Sequence, residues 1–172
     1  MSAISRAYSR VLAFGAGTSM ALVFGIIFVN ALLRYTTGKS MEWGEELPIY
    51  LAIYGVMFGI GLAYLQDTHI RFTIIVDLLP ETFRTRLFAA VDLATCVVGV
   101  MLAWSGVIFA ARRGAVEASG LIGTAKEMAA ATGLDWLVWV GRMGTWQAAI
   151  AVGGGILTLS AVLSFIRRLK EL

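Results

Sequence analysis

Four long apolar runs, at residues 11–33, 47–66, 87–111 and 144–166, contain one charged side chain between them, Asp92. A helix that crosses a bilayer needs about 20 largely apolar residues. In hydrocarbon every backbone amide must find its partner inside the protein, so uninterrupted apolar runs of this length are driven into helices. The chain is 59% hydrophobic and 15% charged, well below the roughly 25% charged residues of a soluble domain. These features predict an all-α integral membrane protein, a single four-span domain over residues 1–172, with short interfacial amphipathic helices at about 40–47, 70–79 and 134–143.

The same counts exclude whole classes of chemistry. One cysteine, Cys96, cannot form an internal disulfide or a thiol relay, and one histidine, His69, cannot supply a bis-histidine haem or a multi-histidine metal site within one chain. No hydrolase motif or phosphate-binding glycine loop is present. No cofactor and no enzymatic activity are expected. The net charge of +3 is modest and its basic residues flank the apolar runs. Lipid headgroups account for them, and nothing calls for nucleic acid.

Between the first two runs lies Ser40-Met41-Glu42-Trp43-Gly44-Glu45-Glu46-Leu47-Pro48. Glu42, Glu45 and Glu46 have i, i+3, i+4 spacing, which places three acids on one helical face. Ser40 can cap such a helix, and an early Glu42 suits its positive end. Pro48 opens a helix well and sits badly inside one. The expectation is a short surface helix that gives way to the second span at Pro48, its acids either solvated in a turn anchored by Trp43 or met by basic partners such as Arg34, Lys39 or another chain.

Along the rest of the chain, Gly17, Ala21 and Gly25 repeat at four-residue spacing, and Gly55 and Gly59 form a GxxxG. Both patterns allow close helix approach in lipid, the competing reading being incidental glycines on a lipid-facing helix. Asn30 can bridge helices or sit at the interface. Arg34 and Tyr35 close the first span. His69, Arg71 and Asp77 fall in a polar connection, where His69 is either a hydrogen-bonding turn residue or a proton carrier. Pro80 with Glu81 marks a helix start. Asp92, an acid inside a span, is by default a functional candidate. It lies near the interface, close in sequence to Arg84 and Arg86, so a shallow paired carboxylate is the competing reading. Trp136, Trp139, Val140 and Met143 fall at i, i+3, i+4, i+7, as one face of an interfacial helix or, equally, a core stripe facing another subunit. Four spans put both termini and the middle connection on one side. That side holds eight basic residues against six on the other, which favours cytoplasmic termini.

Broken helices, internal repeats and deep charge pairs, the usual marks of a transporter core, are not evident. The residues therefore describe a scaffold or accessory subunit. The alternative is a self-oligomerising carrier or channel with glycine-lined contacts and Asp92 as its ion site.

The order Arg34, then Glu42-Trp43-Gly44-Glu45-Glu46, then a glycine-bearing span, then His69-Ile70-Arg71, Asp77 and Leu79-Pro80 resembles the small membrane subunit, DctQ type, of the tripartite ATP-independent periplasmic (TRAP) transporters. The resemblance covers about residues 25–90, and the second half agrees by hydropathy. Family members often carry a proline near the start of the last span, whereas this chain has none after Pro80. The resemblance implies a four-span subunit in a bacterial inner membrane. It would be tightly paired with a large membrane subunit that carries the substrate and sodium sites, and served transiently by a periplasmic binding protein that delivers an organic anion, a carboxylate or sialic acid. The small subunit would anchor and enlarge the static scaffold. Arg34, Glu42, Trp43, Glu45 and Glu46 would form its brace or subunit contact, and His69, Arg71, Asp77 and Pro80 would order the cytoplasmic turn. Membrane lipids are its remaining partners.

Overall fold

In the computed structural model, which describes residues 3–67 and 79–169, the first apolar run belongs to a helix, α1, of 35 residues spanning Ala3–Thr37. At about 1.5 Å per residue such a helix is much longer than a hydrocarbon layer about 30 Å thick. Arg6 and Arg10 in its first turns and Arg34 in its last therefore reach the headgroups. Gly38 ends it at φ +71°, donating its N–H to the Arg34 carbonyl at 3.1 Å. Glycine takes this left-handed conformation without a Cβ clash.

The second helix, α2, is continuous over Trp43–Leu65 and carries Pro48 inside it. This corrects the expected division into a surface helix over 40–47 and a span beginning at Pro48. The proline lies early in the helix and deletes only one bond, the one its N–H would have given to the Gly44 carbonyl. The helix passes through. Its N-cap is Glu42 rather than Ser40, and Glu45 and Glu46 occupy the first turn, where the helix dipole favours negative charge.

Helix α3 spans Glu81–Arg113 and starts, as expected, at Pro80, whose extended backbone (φ −54°, ψ 143°) precedes the first turn. The expected interfacial stretch 70–79 falls almost entirely outside the described residues, as do His69, Arg71 and Asp77. The glycine- and alanine-rich segment after α3 contains a helix of its own, α4, at Ile122–Thr132, closed by Gly133 at φ +70°. A 3-10 helix follows at Asp135–Gly141, and α5 runs over Met143–Leu169. The expected i, i+3, i+4, i+7 face is altered by the 3-10 geometry, which repeats every three residues. Trp136 and Trp139 project outward at 61% and 66% exposure, whereas Val140 and Met143 are half-buried. The Ala118 N–H to the Gly141 carbonyl and the Met143 N–H to the Val116 carbonyl, both 2.8 Å, pin this segment to the chain leaving α3.

Helices α1, α2, α3 and α5 are each long and apolar enough to cross a membrane. They form an all-α membrane bundle in the order α1, α2, α5, α3: α1 packs on α2, α2 on α5, and α5 along α3. The closest approach is between α3 and α5. A Cβ on Gly106 would stand 2.4 Å from the Ala151 nitrogen, and one on Gly154 would stand 2.3 Å from the Ala103 nitrogen. Backbones meet there directly, as small residues permit in lipid. Of the glycines singled out from the sequence, Gly55 does pack, against Ser19 and Met20 of α1. Gly17, Gly25 and Gly59 face open space among the described residues. The outward surfaces of α1 and α3 carry Phe14, Phe24, Phe28, Met101 and Trp104, the apolar exterior of a protein solvated by lipid or by a membrane partner.

Candidate functional site

Polar side chains gather at two opposite ends of the bundle. At the end where α2 begins, Asn30 of α1 is 9% exposed and its Oδ1 accepts the Met41 N–H at 2.8 Å. This bond ties the α1–α2 turn down onto α1. The Asn30 amide lies against Gly44, where a Cβ would stand 2.8 Å from its Cγ.

One helical turn on, Glu46 reaches across the molecule. Its Oε2 accepts the Gly120 N–H at 2.7 Å and its Oε1 accepts the Tyr50 hydroxyl at 2.5 Å. Gly120 must be glycine for this contact, since a Cβ would stand 2.8 Å from Oε2. Tyr50 in turn stacks on Trp146 of α5, with centroids 5.1 Å apart and planes 12° from parallel. Tyr54 donates its hydroxyl to the Thr145 carbonyl at 2.7 Å. Trp43, with Leu47, lines an apolar cavity of about 350 Å³ against α4 and the 3-10 helix. The brace residues thus divide. Trp43 and Glu46 turn inward and fix the α3–α4 connection to α2, whereas Arg34, Glu42 and Glu45 remain on the outside.

The opposite end is organised by Asp92, which is 1% exposed. Its Oδ1 accepts the Tyr64 hydroxyl at 2.6 Å and its Oδ2 accepts Arg168 Nε at 2.8 Å. The acid was expected to lie near Arg84 and Arg86. Its partner is instead Arg168 at the end of α5, which the α3–α5 packing brings alongside. The Arg168 guanidinium also lies 4.8 Å from the centroid of the Phe88 ring and donates to Asp67 at 2.9 Å. Arg167 pairs with Asp67 as well. Three helices and the chain leaving α2 are tied by this one cluster. Breaking a buried pair on one side leaves an uncompensated charge, so each member requires the others. Both carboxylate oxygens of Asp92 are engaged, which suits a cross-brace and leaves little for a passing ion.

Sequence reasoning missed Tyr50, Tyr64, Asp67, Gly120 and Arg168. An arginine at the end of a span has the signature of a headgroup anchor, and Gly120 lies 74 positions from Glu46. The one available signal was Asp92 itself, which needed a cation from somewhere.

A four-helix body braced at both ends, with an acid-bearing α1–α2 turn, is the arrangement to compare with known proteins. The family model described as "Tripartite ATP-independent periplasmic transporters, DctQ component" matches residues 23–171. The chain belongs to this DctQ family. The match runs far past the 25–90 stretch carried by recognisable motifs and takes in α3, α4 and α5. Among relatives of this DctQ chain is a Haemophilus influenzae protein named sialic acid TRAP transporter permease protein SiaT. It is 30% identical over 83 residues, covering 47% of the chain and 14% of that protein. Two H. influenzae proteins named putative TRAP transporter small permease protein are 22% identical over 101 residues and 33% identical over 61 residues. Those matches cover 59% and 36% of the DctQ chain, and 61% and 38% of the relatives. The matched stretches thus span less than two thirds of each relative's length.

Proposed function

We propose that this DctQ-family chain is the small permease subunit of a TRAP transporter. In this reading it is a non-enzymatic scaffold that anchors and widens the static part of a large membrane subunit. The imported solute is an organic anion, a carboxylate or sialic acid, delivered by a periplasmic binding protein and driven by sodium. The chain sits in the bacterial inner membrane with both termini cytoplasmic.

One observation carries the scaffold role. The buried charged groups Asp92 and Arg168 are committed to internal bonds, while the long outer faces of α1 and α3 are apolar. A body built so keeps its shape and offers surface. The names of the H. influenzae relatives support the transporter assignment, and the SiaT name supports an acidic sugar as substrate class.

The test is co-expression with a large TRAP membrane subunit from the same genome, purification in mild detergent and mass determination. Uptake is then measured in liposomes with the binding protein and a sodium gradient. A stable one-to-one complex whose uptake needs both chains is expected. A homo-oligomer of this chain that moves an ion unaided would overturn the proposal and favour a carrier.

A further inference from the structure

On the outside of the braced end, a cleft of about 630 Å³ opens between the last turns of α1 and the first turns of α2. Its lining is divided by chemistry. Arg34 enters it from α1 and Glu45 from α2, and neither makes an ion pair among the described residues. Opposite charges that share a cleft without pairing are complementary to a ligand carrying both signs.

A further group points the same way. Asn30 is nine-tenths buried in the cleft wall, and the Met41 N–H fixes its carbonyl oxygen. Its amide nitrogen is therefore oriented as a donor, and it donates to nothing among the described residues. On the α2 side, Gly44 and Pro48 form the cleft wall beside Glu45. The cleft thus offers two donors, Arg34 and Asn30, and the Glu45 carboxylate as acceptor. Ile27 and Ile49 continue its lining as apolar surface, and the helix ends place it at headgroup depth.

We infer that this cleft binds an aminophospholipid, its phosphate held by Arg34 and Asn30, its primary ammonium by Glu45, and an acyl chain along Ile27 and Ile49. Phosphatidylethanolamine has this pattern. Phosphatidylcholine has no N–H to donate, and phosphatidylglycerol has no cation. The inference requires only that the chain is inserted in a bilayer and is independent of the transport reading.

The experiment uses the full chain in mild detergent with equal amounts of dioleoyl phosphatidylethanolamine, phosphatidylcholine and phosphatidylglycerol, followed by native mass spectrometry of the retained lipid. Phosphatidylethanolamine should be retained about fivefold over the others, the scale of one headgroup-level charge interaction. Arg34→Gln and Glu45→Gln should each abolish that preference with thermal unfolding unchanged. Equal retention of the three lipids overturns the inference, as does a preference for phosphatidylglycerol, which a cationic patch alone would give. So does a phosphatidylethanolamine preference that survives both substitutions. Repeating the measurement on the complex with the large subunit adds one more arm: loss of the bound lipid on pairing would assign the cleft to a protein contact and overturn it too.

Discussion

Asp92→Ala is the substitution that most directly separates a cross-brace from an ion site. Side-chain exposure is 2% for Asp92 and 10% for Arg168, so the pair is buried on both sides. Removing one partner of a buried pair costs about 3–5 kcal/mol. Asp67 remains beside Arg168, at 35% side-chain exposure, and offsets part of the loss in the way a partly screened pair can. A net loss of about 2–4 kcal/mol is expected. For a chain of this size each kcal/mol moves the melting temperature by about 2–4 °C, so Tm should fall by about 4–16 °C. Intrinsic fluorescence of the five tryptophans in detergent reads that shift. The double variant Asp92→Leu with Arg168→Met replaces the pair by apolar side chains and should recover most of it. An Asp92→Ala protein that melts within about 1 °C of wild type, against the expected fall, would refute the cross-brace. So would an Asp92→Asn protein of wild-type stability that has lost ion-dependent transport.

The adjacent acids Glu45 and Glu46 should behave differently. Glu46→Gln weakens two charge-assisted bonds and should lower stability by about 1–3 kcal/mol and weaken co-purification with the proposed large subunit, whereas Glu45→Gln should stay within about 0.5 kcal/mol; equal thermal shifts would show that Glu46 is not the latch. Among glycines, Gly154→Val must push α3 from α5 and should cost about 1–3 kcal/mol, while Gly25→Ala should be neutral within about 0.5 kcal/mol. Thermal unfolding of the two side by side checks this, and similar losses would mean that the α3–α5 backbone contact is wrongly placed.

Much of the fold was legible because hydrocarbon leaves a long apolar run few choices. The four spans and the break at Pro80 follow from residues local in sequence. What was not legible depends on distant partners. Glu45 and Glu46 share a helical face in any sequence reading, and only Gly120 distinguishes them. Arg168 resembles any basic residue at a membrane boundary until α5 is laid beside α3. Pro48 misled for a local reason: a proline signals a helix start, yet an early helical position can lose one hydrogen bond and continue. The glycine repeats show the same limit, since spacing marks Gly25 and Gly55 alike, and the neighbouring helix decides which one is covered.

The helix order also dictates a schedule for biosynthesis. Helices α1 and α2 follow each other through a short turn and can pair as soon as both have left the ribosome. Helix α3 cannot do the same, because its neighbour is α5. Asp92 enters the bilayer 76 positions ahead of the arginine that neutralises it. At about 5–20 residues per second, that interval lasts roughly 4 to 15 seconds. Throughout it α3 carries a lone acid and the uncovered glycine face of Gly99 and Gly106. Tyr64 at the end of α2 is already made by then, a hydroxyl available to the acid before its cation exists. Insertion of this protein therefore has a vulnerable interval, and it closes only when the end of α5 arrives.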